Sequence, residues 1–497
     1  MDLLPTVSID LLPTDLVSID LLPTEILCLI FGYLNKKDAL GVFWTCKRFA
    51  EAISITRINY KRMWNIVNDK TNMISKYDFW NIQTLPNNKF ILNLMKQSMV
   101  CKRLCTRYEC MSFLEENNCL SSLEEINIHL SDTELFPSIL GKIKKVTASH
   151  CHLSEIDLLE DTEILILEHS STEKISNAPK LRKLISDNNF YMRDLGDLTN
   201  LQEIEINGCY NRKTITNNII FPNNVRKLKL TNIMNREIGE NLPNNLEYLI
   251  LRTNKNLQDI SQLTNLSNLK KVKIILCDEI KSISPLRNIT KLKLQSGRHK
   301  SPICDFLMLT NPNIFKNLTE LCLTEIYINC NIALPENIKK FQLYDCYTIS
   351  NISNLQNLIE LTIVGCNFLE YISDISNVKK VYIEFCDDIH TIINVNNVED
   401  LYLGSLNKLF RIKNLDAINR VEVECCFNIV DISGLYNVQN INLSSISYLM
   451  IHNFDAIINN ENLKSLIMSD VDQELEDILN ILTLKLGNKF VYNIKDV

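Results

Sequence analysis

Two groups of residues in this chain have the types that hold metal ions. Imidazole nitrogen and thiolate sulfur are preferred ligands of zinc, and they stand close together in His150-Cys151-His152 and in the triplet Cys101, Cys105 and Cys110. Neither group is matched by a second pair at zinc-finger spacing. Cys151 also fills an apolar position of the repeat described below. We therefore predict no metal site.

The sequence also lacks the residue patterns of the common catalytic sites. It has no glycine-rich phosphate loop, no HExxH motif and no GxSxG motif, and its seven histidines are scattered. We expect a binding protein with no cofactor rather than an enzyme.

Lysines form a group that could bind an anion. They come in pairs two residues apart: Lys227 and Lys229, Lys271 and Lys273, Lys291 and Lys293. On a chain of net charge −7, such a patch would suit an acidic or phosphorylated partner, because lysine offers a compact charge to phosphate. The alternative is a solvated face whose charges oppose association. Both interpretations stay open.

A second candidate binding group is aromatic. Tyr382 and Tyr402 stand twenty residues apart, Tyr344 and Phe385 are close by, and acidic residues flank them. Tyrosine is enriched at binding hot spots, so these side chains are candidate contacts for a protein substrate. The alternative is cross-strand stacking that stabilises a sheet.

A repeat positions both groups. Seven segments start twenty residues apart without a slip: Leu318, Ile338, Leu358, Val378, Val398, Ile418 and Val438. Counting each start as position 0, apolar residues recur at +3, +5, +8, +11, +14 and +17. Less regular starts continue upstream, giving about seventeen units. Because one such unit cannot bury its apolar edge alone, the units must stack on each other.

The spacing within one unit predicts its local structure. Alternation at +3 and +5 indicates a short strand, and the later step of three residues suits extended or 3₁₀ backbone better than an α-helix. The lysines and tyrosines then fall at the outward positions +2 and +4. After the last unit, residues 471–486 have helical spacing, which we interpret as a capping helix.

Composition favours a folded protein in a reducing compartment. Of its residues, 46% are hydrophobic, as in folded proteins. Its length of 497 residues is too great for one compact core, so a repeat array or several domains are expected. Its negative charge argues against a nucleic-acid partner. The start of the chain has no basic region, and the early apolar run 26–34 is too short to span a bilayer. We expect no membrane partner and a cytoplasmic location with reduced cysteines.

The N-terminus repeats a short phrase. LLPT begins at Leu3, Leu11 and Leu21, but only the third copy is followed by a helical apolar stripe. The stretch LLPTEILCLIFGYLNKKDALGVFWTCKRFAEAI that starts there resembles the F-box. This resemblance implies three helices over 21–54 that dock on a Skp-type adaptor, and through it on a cullin. The implied adaptor contacts are Leu22, Pro23, Ile26, Ile30 and Leu34, although packing between the helices is a rival role for Ile30 and Leu34.

The repeats resemble leucine-rich repeats, with L-x-x-L-x-L followed by Cys or Asn at +8. The resemblance implies an α/β solenoid: a curved array over 121–470 with a parallel sheet on its concave face, extended or 3₁₀ segments on its convex face, and a cap over 471–497. Residues 1–20 are interpreted as a degenerate duplicated leader and 55–120 as a helical linker.

Together the two resemblances predict the substrate-recognition subunit of a ubiquitin ligase, with the target on the concave face. The alternative is a repeat scaffold outside any ligase. Simple Ile- and Asn-rich repeats of this kind also resemble those of giant DNA viruses, in which case the location would be the host cytoplasm.

Overall fold

The structure is a computed structural model that describes residues 80–82, 103–108, 111–116 and, with gaps, 123–494. The longer gaps after residue 123 are 131–137, 209–218, 298–313 and 328–331. The F-box stretch therefore lies outside the described residues. Contacts divide the chain into two units, one ending at His169 and one formed by Ser154–Ile156 and Ser170–Val497.

In the first unit a parallel sheet holds five strands together. They are β1 (Trp80–Ile82), β2 (Arg103–Arg107), β3 (Glu125–His129), β4 (Lys145–Ser149) and β5 (Ile164–Glu168). Each pairs in parallel with its neighbour in this order. A short helix, α1 (Met111–Glu116), follows β2, and a 3₁₀ turn spans Ser138–Lys142.

The second unit is a long run of parallel strands, one per repeat. They are β6 (Lys183–Asp187), β7 (Glu203–Asn207), β8 (Lys227–Thr231), β9 (Tyr248–Arg252), β10 (Lys271–Ile275), β11 (Lys291–Gln295), β12 (Glu320–Thr324), β13 (Lys340–Tyr344), β14 (Glu360–Val364), β15 (Lys380–Glu384), β16 (Asp400–Gly404), β17 (Arg420–Glu424), β18 (Asn440–Ser444), β19 (Ser465–Val471) and β20 (Phe490–Ile494). From β6 to β18 each +2 residue pairs with the +2 residue of the next strand.

The core lies behind this sheet and is formed by the positions that the sequence predicted to be apolar. In the unit from Leu358, Leu361 and Ile363 of β14 are at most 1% exposed, and Leu369 and Ile375 are fully buried. Burying a side chain of this size contributes about 1.5–3 kcal/mol. The predicted parallel sheet, with one strand per repeat and an apolar core behind it, is confirmed for the second of the two units.

The segments behind the strands are extended or 3₁₀, as the spacing of three residues predicted. Short parallel strands occur at Glu155–Ile156, Lys174–Ile175, Ile332–Ala333, Ile352–Ser353, Tyr371–Ile372, Thr391–Ile393 and Arg411–Lys413. The 3₁₀ turns are Ser261–Asn265, Ser284–Leu286, Ser433–Asn437 and Gly487–Lys489. Two α-helices, α2 (Asp455–Ile458) and α3 (Glu476–Leu486), lie near the C-terminal end.

Position +7 has left-handed backbone in most described units. Its φ is positive whether the residue is Gly365, Leu276, Phe385 or Thr253. The amide of +7 donates to the +6 carbonyl of the next strand, for example Phe385 N to Gly404 O at 3.1 Å. Because left-handed backbone costs most non-glycine residues roughly 1–2 kcal/mol, this hydrogen-bond ladder maintains at Leu276, Phe385 and Thr253 a conformation that these residue types do not favour.

Position +8, where the leucine-rich-repeat pattern has Cys or Asn, then places a buried polar atom against the loop backbone. Cys366 and Cys386 are fully buried; the Cys386 thiol donates to Glu384 O at 3.3 Å and accepts from Cys366 N at 3.4 Å. Asn254 fills the same position in another unit, donating to Leu230 O. These thiols satisfy backbone groups.

Two predicted elements differ from the structure. The span 55–120 was expected to be helical, but it contains strands β1 and β2, because Leu104 and Thr106 face inward at the two-residue spacing of a strand. The helical prediction is wrong for these residues. The predicted C-terminal helix is present as α3, but strand β20 follows it and pairs with β19. The helix therefore connects two paired strands, β19 and β20.

Candidate functional site

The five predicted adaptor contacts, Leu22, Pro23, Ile26, Ile30 and Leu34, lie outside the described residues. Their role therefore stays a prediction from the sequence. The predicted substrate contacts, in contrast, all lie on described strands or turns of the second unit.

Two of the six predicted lysines are neutralised by acidic residues of the upstream strand β7. Lys227 Nζ lies 2.6 Å from Glu203 Oε1, and Lys229 pairs with Glu205. Burial alone would raise the pKa of Glu203, but hydrogen bonds from Lys227 and Lys183 hold that pKa below its ordinary value. These acids occupy +2 and +4 of β7. The sequence shows both acids if positions +2 and +4 are also compared in the repeat one unit further upstream.

The remaining lysines form a smaller cluster on β10 and β11. Lys271 lies opposite Lys291, and Lys273 lies opposite Lys293. Like charges at directly opposed positions destabilise a sheet. Lys291 is compensated by Glu320 at 2.6 Å. Within the described part of the chain, Lys271, Lys273 and Lys293 have no carboxylate partner.

This cluster lines an open depression of about 330 Å³, whose floor is formed by Leu292, Leu321 and Cys322. On its other flank the Tyr248 ring of β9 lies under the ammonium of Lys271, at 4.6 Å from the ring centroid. Burial raises the pKa of the Cys322 thiol, so it is not a nucleophile at neutral pH. The depression offers cations to an anionic group.

The two predicted tyrosines form a stacked pair. The rings of Tyr382 and Tyr402 are 4.4 Å apart and inclined by only 6°. Their hydroxyls donate to Glu384 Oε2 at 2.7 Å and to Glu424 Oε2 at 2.8 Å, respectively. Burial and the Glu384 carboxylate raise the pKa of Tyr382 to about 12. The cross-strand stacking alternative is thus realised, with both rings still partly exposed.

A glycine that sequence reasoning missed makes room for this pair. A Cβ on Gly404 would lie 2.8 Å from both Cε1 and the hydroxyl of Tyr402, and 3.1 Å from Cγ of Glu384. Gly404 follows Tyr402 by two residues on the same face of β16. Its missing side chain lets the Tyr402 ring lean along the strand and reach Glu424.

The tyrosine pair borders a second, larger groove of about 840 Å³ over β13–β17. Tyr344 lines both this groove and the lysine depression. Phe385 does not line the groove: it is the left-handed +7 residue of the turn after β15 and is 53% exposed. The structure therefore brings together three of the four predicted aromatic residues.

Histidines cluster in the first unit, but not as a metal site. The ring centroids of His129 and His150 are 4.4 Å apart, and those of His150 and His169 are 5.3 Å apart. Burial and the neighbouring imidazoles lower the pKa of His150. Cys151 is fully buried at +8. Over the described ranges, no three His, Cys, Asp or Glu side chains are arranged to hold a metal ion.

Comparisons with known proteins identify the N-terminal part. Residues 19–65 match the family described as F-box-like. The match includes the predicted span 21–54 and runs on into the predicted linker. No curated protein matches the chain. No helix among those described is both long and apolar enough to cross a membrane.

Solved structures resemble the chain at low sequence identity. The crystal structure of the TLR13–ssRNA13 complex has a TM-score of 0.45 and 16% identity, over 68% of this chain and 55% of that chain. An internalin (inlF) from Listeria monocytogenes has a TM-score of 0.31 and 14% identity, over 70% of this chain and 88% of that chain. This chain thus spans about half of the first of these proteins.

Proposed function

We propose that the chain is the substrate-recognition subunit of an SCF-type ubiquitin ligase. The observation that carries the proposal is the F-box-like match at 19–65 ahead of a repeat array with an exposed strand face. An F-box-like domain favours a Skp-type adaptor, and through it a cullin, as partner. A long sheet whose outward columns carry charged and aromatic side chains favours a protein substrate.

Proximity would be the mechanism. Holding a target beside the transfer machinery replaces a bimolecular encounter by an effectively intramolecular one. In this role the chain needs no active site, cofactor or metal ion of its own, since the ligase partners supply the chemistry. The proposed location is the cytoplasm.

The experiment is a pull-down of the full chain with a purified Skp-type adaptor. Leu22→Ala/Pro23→Ala should abolish binding, because the sequence predicts that these residues precede the first F-box helix and contact the adaptor. The chain supplies its own matched control in the duplicated leader, since Leu12→Ala/Pro13→Ala makes the same change in a copy with no apolar stripe behind it. That variant should bind normally.

Failure of the unmodified, folded chain to bind the adaptor would refute the ligase proposal. The second candidate, an interaction scaffold outside any ligase, would then be favoured by the same exposed columns on β10–β17.

A further inference from the structure

The lysine depression and the tyrosine groove are neighbours on one continuous sheet. The first extends over β10–β13, with its unpaired lysines on β10 and β11. The second extends over β13–β17, with the tyrosine pair on β15 and β16, and Tyr344 of β13 lines both. A ligand long enough to cross the strands between them would touch both.

The two ends carry opposite uncompensated charge. At the lysine end, Lys271, Lys273 and Lys293 have no acidic partner among the described residues, whereas Lys340 nearby is paired with Glu360 at 2.6 Å. At the tyrosine end Lys380 also lines the groove, but the carboxylates of Glu384 and Asp400 outnumber it, so the charge that remains is negative.

Glu384 and Glu424 accept hydrogen bonds from the two tyrosine hydroxyls, but no cation pairs with either carboxylate among the residues that the structure describes. Glu422, which also lines the groove, is neutralised by Arg420 at 2.8 Å. A stacked aromatic pair beside free carboxylates suits a guanidinium or ammonium group, which combines cation–π contact with an ion pair.

Between the ends, the middle column of the sheet is uncharged. Its +4 residues are Cys322, Gln342 and Thr362, on β12, β13 and β14. This floor presents neutral side chains to whatever bridges the two sites.

Strand spacing sets the distance between the ends. Five strand steps at about 4.8 Å span roughly 24 Å. An extended peptide advances about 3.3 Å per residue, so about seven residues cover that distance.

We propose that this face binds one extended, bipolar peptide segment of the target. Its acidic end, a carboxylate or phosphate cluster, lies on Lys271, Lys273 and Lys293, and its basic end, an arginine or lysine about seven residues away, lies on the tyrosine pair with Glu384 and Glu424. The chain crosses the strands over a neutral stretch. The segment is the recognition element of the substrate proposed above, but its binding does not depend on the adaptor.

Synthetic peptides test this by fluorescence anisotropy with the full chain. The main probe has two glutamates and two arginines separated by five Ser/Gly residues, made in both chain directions, with a phosphoserine version of the acidic end. Comparison peptides carry glutamate at both ends, arginine at both ends, or the two clusters side by side. The bipolar peptide should bind at least about tenfold more tightly than any comparison peptide.

Charge reversal assigns the two ends. Lys273→Glu/Lys293→Glu should weaken bipolar binding by about tenfold or more and favour the all-arginine peptide, because like charges then meet at the acidic end. Glu384→Lys/Glu424→Lys should also weaken bipolar binding by about tenfold or more, but should favour the all-glutamate peptide. Lys281→Glu, the same change at an exposed lysine outside both depressions, should leave binding unchanged. Thermal melts establish that each variant folds.

Equal binding of the all-glutamate and bipolar peptides would overturn the inference. So would equal affinity for the bipolar peptide and for the peptide with its two charged clusters side by side. Tighter binding of a single-stranded RNA oligonucleotide would overturn it as well. The adaptor pull-down has a separate outcome, so loss of the ligase role with bipolar binding intact would refute only the proposed function.

Discussion

Replacing Gly404 by alanine should disturb the tyrosine pair without straining the backbone. Gly404 lies within β16 and has no positive φ, so alanine is acceptable to the main chain. Its Cβ, however, would lie 2.8 Å from the Tyr402 ring and hydroxyl, and the ring must swing away. The ring then loses its stack on Tyr382 and its hydrogen bond to Glu424.

The magnitude follows from these two contacts. An aromatic pair contributes about 0.5–1.5 kcal/mol, and a net hydrogen bond about 0.5–1.5 kcal/mol. Since both groups are partly exposed, we expect the free energy of unfolding to fall by about 1–2 kcal/mol. Freed from burial and from Glu424, the Tyr402 phenol should also titrate at lower pH, because both now raise its pKa.

A double-mutant cycle by chemical denaturation isolates the cause. In a Tyr402→Ala background, Gly404→Ala should cost little, because the ring that it displaces is gone. Gly196→Ala is the control: its Cβ would come no closer than 3.3 Å to any neighbour. An equal cost of Gly404→Ala in both backgrounds would refute the steric argument.

Other predictions concern the repeat framework. Burial raises the pKa of Cys277 and of Cys426 to about 12, so these thiols should resist a disulfide reagent until the protein unfolds. The stability that they contribute should be present below pH 9 and fall as the pH rises toward 12, since only unfolded thiols then ionise; Cys277→Ala/Cys426→Ala should flatten that decline. Burial would raise the pKa of Asp431, but hydrogen bonds from Ser433 and Asn453 and the charge of Lys413 hold it at about 2. Stability from this group should be lost as the pH falls below about 4 toward 2, and Asp431→Asn should remove that loss. Phe385→Asn should raise the unfolding free energy by about 0.5–1 kcal/mol, because asparagine tolerates left-handed backbone; a drop in stability would contradict the strain at +7.

The sequence predicts the core better than the turns. Leu361, Ile363 and Cys366 recur with a fixed period, and that period requires stacking, so the strands and the buried face follow from it. The left-handed backbone at position +7 could not be predicted in this way. Leu276, Phe385 and Thr253 have unrelated side chains, and their conformation comes from a hydrogen bond to the next strand. Strand β20 was missed because a helical stripe directly precedes it.

Residues on neighbouring strands determine which side chains of the candidate site can bind a ligand. The six-lysine patch was read from two columns of a few units, whereas the acids that neutralise Lys227 and Lys229 stand one unit upstream. The tyrosine pair was visible as two residues twenty positions apart. Gly404 was not, because its role depends on the direction in which the Tyr402 ring leans.

The most direct test of a substrate-recognition subunit is whether it holds both partners at once. The full chain would be mixed with a Skp-type adaptor and with a carrier protein bearing the bipolar peptide, and the mixture analysed by size exclusion with light scattering. The account predicts one complex containing all three proteins, which Leu22→Ala/Pro23→Ala separates into adaptor and chain–carrier complex. Mutually exclusive binding, or a complex that never contains the adaptor, would contradict it.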